Sequence, residues 1–152
     1  MTKYELIQII TGFIGSCAFA ILFNIRGKRF AATAFGGFLS WLLFVILSRI
    51  IQTEALNYFI VAALISLYAE IMARALKTPT TTFITTSLIP LIPGGSLYYT
   101  IAYAFESNTD KFVGQAISTV TLASALALGI ITATTLTNLL FRFILKPKPN
   151  NS

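Results

Sequence analysis

The sequence predicts an all-α integral membrane protein: a helical bundle of about five transmembrane helices, the fourth broken by proline and glycine. Three observations predict it. The apolar runs are long and nearly uncharged. Of 152 residues, 56% are hydrophobic and only 11% charged, where a soluble domain carries roughly 25% charged residues. Mean hydropathy is +0.80. The basic residues gather at the ends of those runs, where they set membrane orientation. Finally, one run long enough to cross a bilayer, Thr80 to Ala104, is interrupted by Pro90, Pro93, Gly94 and Gly95.

The first span is expected over residues 5–25. Lys3 and the apolar run after it loosely resemble a signal peptide. The run is too long for one, and RGKRF follows where small residues would precede a cleavage site, so a retained span is expected. The second span is expected over 30–47 and the third over 56–75. Each is close to the ~20 residues a crossing needs at 1.5 Å per residue. The fourth is expected over 80–104. Proline lacks an N–H and clashes with the preceding turn, and glycine loosens the backbone, so a continuous helix is not expected there. The fifth, 112–143, exceeds what a crossing needs and is expected to tilt or to extend past the lipid. The polar stretches are short, so one membrane domain over 1–152 is expected.

Small residues recur along these helices. Gly12, Ser16 and Ala20 step by four in the first span, and Ala32, Gly36 and Ser40 do so in the second. Gly114, Ser118, Thr121, Ala125, Gly129 and Thr132 step by three and four in the fifth. Such stripes let helix backbones approach closely in lipid.

Five spans place successive connections on alternate sides. One side receives Arg26, Lys28, Arg29, Arg74, Lys77, Arg142, Lys146 and Lys148; the other receives Lys3, Arg49 and Lys111. The richer side is expected to be cytoplasmic, with the N-terminus outside and the C-terminus inside. The net charge of +6 is explained by this clustering, and no nucleic acid is expected as a partner. There is no histidine, and the single cysteine, Cys17, lies inside an apolar run. That removes the commonest metal ligand and general base, and excludes an intrachain disulfide. With no paired intramembrane carboxylates, phosphate loop or nucleophile elbow, no enzyme, metal or cofactor is expected.

Two features carry candidate chemistry. Glu70 is the acid lying well inside a span, and Arg74 follows at i+4, the spacing of an ion pair on one helix face. That face also carries Ala63, Ser66, Ala73 and Lys77. A charge at that depth marks a proton or substrate site, or a structural pair near the interface; both readings stand. The second feature is Pro93-Gly94-Gly95-Ser96. A helix restarting near Ser96 would present unpaired amides and the positive end of its dipole, a geometry that takes carboxylates. Tyr98 and Tyr99 follow and supply hydroxyls. A side chain at Gly94 or Gly95 is expected to crowd a strained backbone there. The bland alternative is a kink tolerated for packing, with tyrosines at the interface. Thr78 to Thr82 and Thr85 to Ser87 carry hydroxyls before the break, which in helices commonly bond back to their own backbone. Asn57 and Asn138 either join helices or sit at the interface.

The run AEIMARALKTPTTTFITTSLIPLIPGGSLYYT resembles the signature of the threonine/serine exporter family. There an acid and an arginine end one helix. A Lys-x-Pro turn follows, then a helix ending in Pro-Leu-x-Pro-Gly and a tyrosine. The matching residues here are Glu70, Arg74, Lys77, Pro79, Pro90, Leu91, Pro93, Gly94 and Tyr98. The small-residue fifth span, with Ala127 and Gly129, is also similar, and the resemblance covers roughly residues 69 to 136. The length resembles the short member of the family's two-component version, which is like the C-terminal half of the fused exporter. The resemblance therefore implies a small subunit in the cell membrane, partnered by a larger companion. It implies export of threonine and serine or of a dicarboxylate such as succinate. Two such halves with five spans each would form inverted repeats. On this reading Pro93, Gly94, Gly95, Ser96, Tyr98 and Tyr99 hold a substrate carboxylate, and Glu70 and Arg74 serve coupling or gating. The alternative is a non-transporting scaffold that stabilises a partner membrane protein.

Overall fold

The computed structural model describes residues 3–106 and 108–144. All regular structure among them is helical: α1 (Lys3–Leu22), α2 (Lys28–Leu47), α3 (Glu54–Ala75), α4 (Thr80–Leu88), a 3-10 turn (Ile89–Leu91), α5 (Gly94–Phe105) and α6 (Thr109–Ile144). Four helices are long and apolar enough to cross a membrane, and five crossings result if the bent pair α4–α5 counts as one. Lys146 and Lys148, which entered the orientation count, lie outside the described residues.

The helices alternate in direction. Arg49 at the end of α2 pairs with Glu5 at the start of α1. The Tyr68 hydroxyl in the second half of α3 donates to the Ala32 carbonyl near the start of α2 at 2.8 Å. Arg26, Lys28, Arg29, Arg74 and Lys77 thus gather at one end, called here the basic end. The bent pair leaves from this end and α6 returns to it, with Phe141 against Arg74. The pair therefore carries the chain from end to end, as a broken crossing and not a re-entrant loop.

Two helix ends stop where composition gives no warning. α1 was expected to reach Ile25 but ends at Leu22. Asn24 turns left-handed (φ 56°), Ile25 N–H reaches back to Ala20 and Asn24 N–H to Ile21. That is the Schellman pattern, which satisfies the last carbonyls. Lys77 (φ 47°) repeats it after α3, with Thr78 bonded to Ala73 and Lys77 to Arg74.

The core lies where α3 meets α2, α4 and α6. Tyr58, Val61, Ala62, Ile65, Leu88, Leu91 and Leu122 form one buried cluster, and Ala69, Ala73 and Phe83 a second. Asn57 ties α3 to α2 by donating to the Phe44 carbonyl. Close packing depends on two adjacent glycines in α2. A Cβ at Gly36 would collide with Ser87 Oγ of α4, and one at Gly37 with Ser16 Oγ of α1. Each serine oxygen sits against a glycine Cα, the approach that Cα–H···O contacts between helices use. Both hydroxyls lack a conventional hydrogen-bond partner among the described residues. Gly36 and Ser16 were in the expected stripes; Gly37 and Ser87 were not.

The small-residue stripe of α6 is displaced from expectation. Gly129 is tightly packed, against the Phe59 carbonyl and Ala62 of α3, but Gly114 meets nothing within 4 Å, and Thr121 and Thr132 are exposed. The buried side runs instead through Leu122, Gly129, Ala133 and Thr137. A large side chain, Leu122, fills the core where small residues alone were counted.

α6 runs 36 residues, roughly 54 Å, against roughly 30 Å for α1. Gly129 faces Phe59–Ala63 and Phe141 faces Arg74, so about the first dozen residues of α6 pass beyond the start of α3. The expected extension is therefore at the end opposite the basic one. α5 folds back along it, with Thr100 and Thr119 hydroxyls 2.9 Å apart. α5 packs substantially on α6 alone and has no buried residue.

Gly37→Val is expected to abolish the monodisperse folded protein, because the displaced atoms belong to a buried serine on a neighbouring helix. Gly114→Val, in open space, is expected to purify normally. Size-exclusion profiles of the two variants check this; equal profiles would contradict the packing described.

Candidate functional site

α4 is short because Pro90 removes a donor and Pro93 stops the chain again. The bend between Thr80–Leu91 and Gly94–Phe105 is 59°. Pro90 packs near Gly12 and Trp41, and Leu91 is fully buried. Beyond that point the chain leaves the bundle. Gly94 N–H bonds to the Ile92 carbonyl at 2.6 Å and Leu97 N–H to Pro93 at 3.0 Å. The amides of Gly95 and Ser96 find no acceptor among the described residues, as the first turn of a helix leaves them.

The surroundings of the break differ from expectation in one respect. Neither Gly94 nor Gly95 has a positive φ, and a Cβ at either would meet nothing within 4 Å. The strain expected of them is absent because neither adopts a left-handed backbone, and the crowding is absent because α5 stands clear of α1–α4. Pro93 and Ser96 are half-buried, and Tyr98 and Tyr99 are exposed, stacked edge to face on each other.

Glu70 and Arg74 are brought together as the spacing predicts. Arg74 Nη2 lies 3.1 Å from Glu70 Oε2. The carboxylate is buried, while the guanidinium is about one-third exposed and lies 3.5 Å from the centre of the Phe141 ring. An ion pair backed by a cation–π contact holds Arg74 in place from two sides. The pair borders a cleft of about 510 Å³, lined also by Ala73, Lys77, Thr78, Pro79, Thr80 and Asn138. Asn138 thus belongs with Glu70, while Asn57 serves as the helix tie.

The two candidate features do not meet. The cleft opens at the first residues of α4 and the break lies past its last, about a dozen residues apart, or roughly 18 Å. α4, with the adjoining turn, is the element that joins them.

Two outcomes are expected here. Arg74→Gln leaves a buried carboxylate without its cation and is expected to cost about 1–3 kcal/mol. The joint Glu70→Gln, Arg74→Gln change is expected to recover much of that. Thermal unfolding of the purified variants reads the difference; a double variant less stable than Arg74→Gln would reject the structural pairing. Gly94→Ala and Gly95→Ala are expected to leave the melting temperature within about 2 °C, since surface changes stay within about 0.5 kcal/mol. Any loss of transport in these variants then reports on what approaches α5 from outside the chain.

The family described as Threonine/Serine exporter, ThrE matches residues 8–136 of this chain. No curated protein and no solved structure matches it.

Proposed function

The chain belongs to the threonine/serine exporter family, and on that premise we propose that it is the small subunit of a secondary exporter of small carboxylate-bearing metabolites. It is a multi-pass membrane protein of a transporter family, and its chemistry is translocation. The observation that carries the finer reading is the broken crossing. α4 packs one face into the bundle against α2 and α3, whereas α5 begins with unbonded amides and has no buried residue. Half-helix ends of this kind take anionic groups in secondary transporters. A larger companion subunit would complete the wall that α5 lacks and enclose a carboxylate against Gly95 and Ser96, with Tyr98 and Tyr99 beside it. The substrate is threonine or serine, or a dicarboxylate such as succinate. Glu70 takes part in coupling or gating, with Arg74 setting its charge balance. The basic end faces the cytoplasm, with the N-terminus outside.

The bare surface of α5 also favours a second reading, a scaffold that stabilises a partner without transporting. Proteoliposomes containing this chain and its companion separate the two. On the exporter reading, Glu70→Gln lowers gradient-driven efflux of the loaded substrate at least tenfold while the complex still assembles. Efflux unchanged with Glu70→Gln and Gly94→Val combined would leave the scaffold.

Sidedness is tested separately. A cysteine placed after Lys148 in a Cys17→Ala background is expected to resist impermeant maleimide in intact cells and to react in inside-out vesicles. The opposite pattern would overturn the orientation.

A further inference from the structure

A second cleft lies at the basic end, across the Thr78–Pro79 ridge from the Glu70 cleft. Its outer part, about 380 Å³, is lined by residues that include Asn24, Arg26, Arg29 and Thr78. Its inner part, about 250 Å³, runs along α4 past Thr81, Thr85 and Thr86. Phe23, Ile25 and Thr82 line both parts, which therefore adjoin. The turn that stops α1 builds the mouth: Asn24 Oδ1 accepts from Arg26 Nε at 2.9 Å. That leaves four of the five guanidinium N–H groups free to bind.

Most threonines in the other helices bond back to their own backbone. Thr33, Thr119 and Thr137 donate to the carbonyl four residues back, which satisfies a hydroxyl in lipid. Thr85 has the Thr81 carbonyl one turn behind it and does not use it. The hydroxyls of Thr81, Thr82 and Thr85 have no hydrogen-bond partner among the described residues, although Thr86 beside them donates to the Thr82 carbonyl. Thr81 and Thr85 are exposed. Thr85 lies a full turn into α4, where a free surface hydroxyl is costly against acyl chains and cheap against water or a polar solute. No acid lines either part of the cleft.

We infer that this cleft is a second solute site, distinct from the α5 break, that takes a small organic carboxylate of net negative charge. Arg26 and Arg29 hold a carboxylate at the mouth, and the free hydroxyls of Thr82 and Thr85 bind the rest of the solute along α4. An amino acid's ammonium finds no counter-charge here, so a dianion is preferred to a zwitterion. The inference rests on reading the chain as part of a carboxylate carrier. It assigns that carrier's entrance and the sign of the solute's charge.

The test uses Thr85→Cys in a Cys17→Ala background, the full chain reconstituted in phosphatidylcholine nanodiscs with its companion. A sulfonated maleimide reports access, and succinate or L-threonine is added as protectant. The expected result is rapid labelling that succinate slows at lower concentration than threonine. Arg29→Gln is expected to raise the half-protecting succinate concentration about three- to tenfold, as loss of one exposed charge-assisted contact does. No labelling would mean that the companion or lipid covers the threonine face, and would overturn the inference. Labelling that neither solute slows would also overturn it, as would better protection by threonine. Protection by phosphatidylglycerol discs alone, without solute, would assign the arginines to a lipid phosphate instead. Efflux from parallel proteoliposomes keeps the two readings apart. Efflux without protection removes this site and leaves the exporter; protection without efflux leaves the site and removes the exporter.

Discussion

A broken backbone in lipid must be sheltered by protein, and the arrangement of this bundle follows from that requirement. Around Pro90 the helical ladder loses a donor, and only one short-range bond, Ile92 to Ile89, replaces it. Shelter comes from α1 and α2, with Gly12 and Trp41 beside Pro90. α1 and α4 both come this close to α2 only because Gly36 and Gly37 present no side chains. The two glycines point to different neighbours, one to Ser87 and the other to Ser16. A single notch in one helix therefore seats two others, and α4 can end inside the protein without exposing its frayed carbonyls to acyl chains.

Much of this was legible in the residues. Long uncharged runs can only be crossings, two prolines and two glycines must interrupt a helix, and Glu70 and Arg74 four apart must share a face. What escaped reading had specific causes. The stop at Asn24 and the turn at Lys77 depend on left-handed conformations that lysine, in particular, does not advertise. The packed side of α6 was mis-set because Leu122 counts as lipid-facing by hydropathy yet fills the core. Gly94 and Gly95 looked strained because a Pro-Gly-Gly run usually is. Here neither takes a left-handed conformation, and α5 has few neighbours for a side chain to crowd. Sequence spacing also placed the acid and the break in adjacent spans without revealing that a whole helix separates them.

The division of charge at the basic end follows from the same short helix. The Thr78–Pro79 ridge separates a cleft that holds a buried carboxylate from one whose charged lining residues are both arginines. Thr78 borders both. Thr78 N–H also bonds to the carbonyl of Ala73, next to Arg74, so a change in the Glu70–Arg74 pair acts beside the ridge that shapes the cationic cleft. The two spaces share one turn, and of the two only the first has a carboxylate in its lining.

α6 has a mechanical property that its length alone confers. At Gly129 it rests closely on the α3 backbone at Phe59–Ala63. From that fulcrum the rod extends 12 residues to Phe141 and 20 to Thr109, roughly 18 Å and 30 Å. The short arm bears on Arg74 and the long arm carries α5. A rocking motion that moves Phe141 by one unit thus swings the far tip by about 1.7 units in the opposite sense. Were α6 to rock as a rigid rod, a small shift beside the buried carboxylate would become a larger sweep of the half-helix at the other end of the molecule.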